Sequence, residues 1–325
     1  MHRLKKTLSL RNAEFNGSLC KLTLGWSPST SKEITLERKL IPMLKSIITG
    51  IDDVGLSIKH PEIAISERVA FIDLLETNNL LQKTAFIGRY SRHLMLYDLI
   101  FPAETHVQKQ ISRSTITMIG VGGIGCWTSL NLACLGVGEI RLVDSDHIEE
   151  SNLTRQILYS ESDIGKLKVD IAKNRIKSFN SDINIKKYVE NINSTDRAAE
   201  LIEGSDVVVL SADYPPGLIQ GWVSEACQRL NIPCINAGYL DITGTISRLS
   251  DPQLFFSPVN EINDEITEIK KAFIQNYQAP SFGPINSMVS SMAALEVFKI
   301  ITNYGSEYKQ IYIDPFSLEV NINTQ

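Results

Sequence analysis

The chain has 325 residues, a hydrophobic share of 43% and a formal net charge of −5. That length supports one large or two ordinary domains with well-buried cores, and the mild acidity argues against bulk nucleic-acid binding, which shows as a basic surplus. The basic N-terminus, MHRLKKTLSLRNAEF, has no apolar core of signal-peptide length, and no apolar run approaches the roughly twenty residues needed to span a membrane. A cytoplasmic protein with no nucleic-acid or membrane partner is expected.

Residues 1–85 read as a separate unit. Leu4–Phe15 and Ser18–Trp26 alternate as two strands around Asn16-Gly17, the strongest short-range hairpin signal. Glu37–Ile48 has helical periodicity, with Pro42 either kinking it or marking its first turn. Asp52–Pro61 is turn-rich, and Ser66 is placed to cap a helix running through Leu75. A hairpin with a few helices predicts a small α+β, winged-helix-like module. Such a module either captures a peptide as an added strand or serves for packing and dimerisation.

The segment Arg89-Tyr90-Ser91-Arg92-His93 then opens residues 86–325. Thr115–Gly120 is a β-branched run leading into Gly120-Val121-Gly122-Gly123-Ile124-Gly125 and a periodic apolar stretch from Cys126 to Leu135. Strand, glycine turn and helix in that order form the context of a nucleotide-binding motif. A second strand, Glu139–Val143, ends in Asp144, placed to accept hydrogen bonds from ribose hydroxyls. So far a nicotinamide site fits equally well. Asn152, Arg155, Gln156 and Lys168 shift the reading, because several cationic donors suit a triphosphate attacked at its α-phosphorus.

Strands at Ile183–Val189, Ser205–Ala212 and Cys234–Tyr239 alternate with helices at Thr195–Ile202 and Leu218–Leu230, which predicts a doubly wound α/β sheet. Asp213 stands at a strand's carboxyl end, where open α/β sheets bind ligands. Thr243–Leu249 and Leu254–Phe256 read as strands, and Glu261–Gln275 as a charged helical stretch. Asn286–Ile301 is a long amphipathic helix, and Gln310–Ile313 with Leu318–Ile322 closes the chain as a hairpin. Five cysteines (Cys20, Cys126, Cys134, Cys227, Cys234) form no C-x-x-C pair; buried packing is expected of them.

The combination of GVGGIG, LVDSD, NLTRQ and Lys168 resembles the ThiF/MoeB family, the adenylating domain shared with ubiquitin-activating enzymes. NLTRQILYSESDIGKLK, VVVLSADYP, PCINAGY and PSFGPIN bring it nearest to the microcin-C-type and pantocin-type peptide-modifying branch. The resemblance implies a Rossmann-like adenylating domain over 86–325, with residues 1–85 a peptide-clamp or leader-recognition-like module. It implies ATP-dependent adenylation of a carboxylate on a ribosomally made precursor peptide in peptide-antibiotic biosynthesis. Glutamate side-chain activation with cyclisation comes first, and C-terminal nucleotide attachment is the alternative. Sulfur-carrier or tRNA modification and a non-catalytic regulatory partner are further alternatives. By the same resemblance Gly120, Gly122, Gly123, Gly125, Asp144, Asp146, Asn152, Arg155, Gln156 and Lys168 bind nucleotide, and Asp213 holds Mg²⁺. Arg92, Asn152, Arg155, Lys168 and Asp213 act in catalysis, with Arg92 reaching across a homodimer interface. In relatives, the region of Glu261–Gln275 is a crossover segment over the bound peptide; a solvated surface helix is the other reading. Many relatives carry two C-x-x-C pairs for zinc. Neither is present in this sequence, so no zinc is expected.

Overall fold

The computed structural model describes residues 1–82, 86–101, 106–216, 218–248, 280–305 and 309–323, with Leu240 described by its backbone alone. The expected strand at Leu254–Phe256 and helix at Glu261–Gln275 therefore lie outside the described residues. The chain divides into two compact units, Met1–His106 and Val107–Gln325.

The first unit holds a three-stranded antiparallel sheet in the order β1 (Leu10–Asn16), β2 (Leu19–Leu24), β3 (Lys32–Glu37). Asn16 pairs with Leu19 across a tight turn in which Gly17 takes φ +58°, a value that favours glycine. The first strand starts later than expected: Leu4 makes only an isolated bridge to Leu81. Cys20, Leu22 and Leu24 on β2, with Ile34 and Leu36 on β3, form a buried face. Met43 and Ile47 of α1 (Ile41–Thr49), Leu56 of α2 (Asp53–Lys59) and Phe71 and Leu75 of α3 (Ile65–Thr77) share that core. All seven β1 residues are exposed.

Three local expectations change here. The helix expected from Glu37 begins at Ile41, because KEITLE is a strand whose alternation buries Ile34 and Leu36; Pro42 lies in the first turn, where its missing N–H costs nothing. The turn-rich Asp52–Pro61 contains α2, capped by Asp52 Oδ1, which accepts the Gly55 N–H at 2.7 Å. At α3 the cap position is Ala64 rather than Ser66. Glu67 reaches back to accept the Ala64 N–H at 3.1 Å.

The second unit is built on an eight-stranded sheet. Its strands are β4 (Thr115–Ile119), β5 (Glu139–Val143), β6 (Asn184–Tyr188), β7 (Val207–Leu210), β8 (Cys234–Leu240), β9 (Thr243–Arg248), β10 (Gln310–Asp314) and β11 (Glu319–Asn323). Their spatial order is β11-β10-β9-β8-β7-β4-β5-β6. From β6 to β8 all pairings are parallel; β9, β10 and β11 extend the sheet antiparallel. All four residues of β7 are buried, as a strand covered on both faces requires. Val208 and Leu210 join a core with α8 (Thr195–Ile202) and α9 (Ile219–Leu230).

The chain runs from β4 through β5 to β6 and then returns to place β7 on the other side of β4, so the strand order reverses between β4 and β7. Ligand crevices open at such reversals. The helix α10 (Gly283–Thr302) packs against α6 (Gly123–Leu135), where Ser290 Oγ donates to Ile124 O at 2.8 Å. Its 20 residues are, by length and composition, apolar enough to cross a membrane, contrary to the expectation that no run approaches that size. Here it packs on β8 and β9 as well, with Val289, Ala293 and Val297 buried, which makes it a core helix.

Candidate active site

The site grows from the turn that joins β4 to α6. Gly120 takes φ +90°, and a Cβ there would lie 2.8 Å from Ala212 N, at the end of β7. Ile119 O accepts from both Ser211 N (2.8 Å) and Ala212 N (3.1 Å), so the two strand ends at the reversal point are stitched together. A Cβ on Gly125 would lie 2.1 Å from Gly120 O, which lets the first turn of α6 sit directly on the strand end. Gly122 is different: the nearest atom to its Cβ position is Gln156 Nε2 at 3.8 Å. That open face, beside the free N–H groups of the α6 N-terminus, is what a phosphate needs.

Side chains hold the turn from below. Val121 N–H donates to Asp144 Oδ2 at 2.7 Å, while Val121 O accepts the Tyr159 hydroxyl at 2.8 Å. Asp144 Oδ1 accepts the Asp146 N–H at 2.8 Å. Burial pushes the Asp144 carboxyl above its usual range, while Lys168 and the two backbone N–H groups pull the other way. Lys168, first residue of α7 (Lys168–Phe179), is buried and bonds Asp146 Oδ2 at 2.8 Å. Asp144, Asp146 and Lys168 thus form one charged cluster against the turn.

The segment carrying Asn152, Arg155 and Gln156 forms the adjoining wall. Asn152 is buried and its Oδ1 accepts the Glu149 N–H at 3.1 Å. Arg155 is half-buried, its guanidinium donating to Ser151 O at 2.7 Å and its own carbonyl accepting from Trp127 Nε1 at 3.2 Å. Gln156 is 4% exposed, yet its Oε1 has no hydrogen-bond partner. Its Nε2 is the amide atom nearest Gly122, and a buried amide oxygen left unpaired fits a ligand hydroxyl, as on a ribose.

Asp213 follows Ala212 at the carboxyl end of β7; it is exposed and has no side-chain partner among the described residues. No group of three or more His, Cys, Asp or Glu gathers among the described residues. A lone carboxylate still fits Mg²⁺, which keeps most of its waters and binds through one or two carboxylates plus phosphate oxygens. All the expected site residues except Arg92 lie in the second unit. Arg92 is in the first, exposed on α4 (Ser91–Ile100), with a guanidinium nitrogen 3.9 Å from Met95 Sδ.

The structure adds two site residues that sequence reasoning did not single out, Tyr159 beneath the turn and Asn286 beside Gly123. A Cβ on Gly123 would lie 2.7 Å from Asn286 Oδ1. Neither carries a spacing signal; both are brought in by folding. Burial pushes the Cys126 thiol up to about 12, and a hydrogen bond to Cys227 together with burial raises Cys234, so neither of these two is a ready thiolate. Cys134 departs from the buried packing expected, because it falls on the exposed side of α6.

The loop leading to Lys168 is tied by Asp163, which accepts the Ser160 hydroxyl at 2.6 Å and Lys166 Nζ at 3.2 Å. The Ser160 bond, then Lys166 and Arg175, hold its carboxyl at about 2, below its ordinary 3.8. A depressed acid stabilises the fold fully above its unfolded pKa and loses that contribution as pH falls through the folded one. Asp163→Asn should therefore lower the melting temperature at neutral pH, with the deficit closing between about pH 4 and pH 2; a deficit unchanged at pH 2 would show that charge is not its cause.

A profile of the ThiF family matches residues 90–324. The molybdopterin-synthase adenylyltransferase of Haemophilus influenzae is 28% identical over 238 residues, 71% of this chain and 92% of that one. The chain spans about half the length of the first curated relatives it matches, 47% and 49%. Among solved structures, Escherichia coli MccB with MccA-N7isoAsn is 25% identical with a TM-score of 0.79, covering 99% of this chain and 96% of that one. MccB has also been solved with ATP. PaaA shares the fold, at 22% identity and a TM-score of 0.76 over 98% of this chain and 99% of its own.

Proposed function

The chain belongs to the ThiF family, and on that premise we propose that it adenylates a carboxylate on a ribosomally made precursor peptide, using ATP and Mg²⁺. One observation carries the peptide over a sulfur carrier as substrate. The Haemophilus adenylyltransferase is 92% covered by 71% of this chain, whereas the likeness to MccB takes in 99% of it, the first unit included. A shared N-terminal unit supports a shared need, and MccB is solved with a peptide, MccA.

In this reading the open face of Gly122 and the α6 N-terminus take phosphate, Asp144 and Gln156 take the ribose hydroxyls, and Lys168 and Arg155 face the charge that grows around the α-phosphorus. A peptide carboxylate oxygen bonds that phosphorus as its bond to the bridging oxygen breaks, giving acyl-adenylate and pyrophosphate. Asp213 would hold Mg²⁺, whose chemistry there would be to supply positive charge beside the phosphates. Arg92 adds a guanidinium from the partner of a homodimer, in the cytoplasm. Glutamate side-chain activation followed by cyclisation is the preferred fate, with AMP released; nucleotide attachment at the peptide's C-terminus is the second reading, and the likeness to MccB favours it.

Pyrophosphate–ATP exchange, with and without the short peptides encoded beside this gene, tests the proposal. Exchange that depends on a peptide supports it; ATP binding without exchange would move the regulatory-partner reading to first place. Arg155→Ala should slow adenylation about a hundredfold while weakening ATP binding far less, since its pairing strengthens in the transition state. Equal losses in both would mark Arg155 as a plain ground-state contact. Deleting residues 1–85 should raise the peptide KM at least tenfold and leave the ATP KM unchanged; an unchanged peptide KM would leave that unit a packing or dimerisation role.

A further inference from the structure

Asn286 lies in the first turn of α10 and is fully buried. Its Nδ2 donates to Phe282 O at 2.9 Å and to Ser281 Oγ at 3.1 Å. The same Ser281 oxygen accepts the hydroxyl of Tyr239, near the end of β8. Phe282 O can only accept, so the amide is held one way round, with Nδ2 toward the loop and Oδ1 turned toward Gly123. That Oδ1 has no partner. Buried amide oxygens are almost always satisfied, so an orphan fixed this firmly beside a ligand-binding turn points to a ligand.

The chemistry narrows the ligand. A carbonyl oxygen accepts and never donates, so it repels phosphate oxygens and suits an N–H. Its place narrows the ligand further. Asp144, on the ribose side, ends β5, while the Tyr239–Ser281–Asn286 chain hangs from β8, and β4 with its glycine turn lies between them in the sheet. The nucleoside end and the Asn286 end therefore fall on opposite sides of the turn. The second substrate must approach the phosphates from the Asn286 side.

We propose that Asn286 is a specificity-determining residue, whose Oδ1 accepts a backbone N–H of the peptide close to the carboxyl being activated. The inference rests on the peptide-adenylating reading above and deepens it. Such a contact selects a peptide over a simple carboxylic acid, because an acid lacking that N–H would leave the buried oxygen unpaired.

The experiment uses the full-length protein and whichever neighbouring gene-encoded peptide drives exchange, together with analogues in which each backbone N–H in turn is replaced by an ester oxygen. With the wild type, one analogue should lose about tenfold or more in kcat/KM. In Asn286→Ala the same substitution should cause no further loss. If every analogue loses the same factor in wild type and in Asn286→Ala, Asn286 binds water or nucleotide and the proposal is overturned. Absence of exchange with any peptide in the wild type would instead remove the peptide reading itself, and this proposal with it.

Discussion

Asp213→Ala should abolish Mg²⁺-dependent adenylation, by about three powers of ten, without lowering the melting temperature. The two halves of that expectation come from the same observation. Asp213 is exposed and has no side-chain partner among the described residues, so nothing in the fold leans on it. Its position is nonetheless fixed, because Ala212 just before it is stitched to the β4 end through Ile119 O. A carboxylate on a strand end at the reversal of strand order is placed as the proposed Mg²⁺ role requires; under that proposal its loss would leave the leaving group's charge uncompensated. Exchange assays against Mg²⁺ concentration, with melts of both proteins, check it. Near-normal exchange in the variant would remove the metal role.

Among the described glycines, Gly125→Ala should be the most damaging substitution. The new Cβ would sit 2.1 Å from Gly120 O and 2.9 Å from its carbonyl carbon. Both are backbone atoms and cannot swing aside, so α6 must lift from β4. Overpacking of this kind costs about 1–3 kcal/mol or more, and here it also displaces the turn proposed to take phosphate. The expected result is a clear fall in melting temperature together with loss of ATP binding. Gly122→Ala is the control: its Cβ meets nothing nearer than Gln156 Nε2 at 3.8 Å, so the fold should survive while the methyl group obstructs nucleotide. If both variants melt like the wild type, close helix-on-strand packing is not the reason for Gly125.

Much of this was legible in sequence, for identifiable reasons. The run from Thr115 to Asp144 reads clearly because strand, turn and helix each carry a local signature: β-branched residues, glycines, then apolar periodicity. The helices at Thr195–Ile202 and Ile219–Leu230 and the strands at Val207–Leu210 and Cys234–Leu240 sit within a few residues of where periodicity puts them. The misses are places where tertiary context outweighs local preference. Lys32–Glu37 is a strand because β2 offers it an edge and a core to face. Asp53–Lys59 is helical despite Gly55 because Asp52 caps it. Cys134 is exposed because the apolar pattern of α6 runs to both sides of that helix. Asn286 escaped for a different reason: its role depends on an unpaired oxygen, and no spacing records what a side chain fails to bond.

The Lys168–Asp146 pair bears on how the glycine turn would meet an anion. With the Lys168 ammonium largely out of water and already matched by the Asp146 carboxylate at 2.8 Å, it would offer little net attraction to a stray anion. Inorganic phosphate or sulfate, arriving alone, would have to separate that pair and has no sugar to offer Asp144 in return. A nucleotide brings both. Under the proposed nucleotide placement the pair would favour ligands able to engage two points at once, and ATP binding should be less salt-sensitive than with an open lysine.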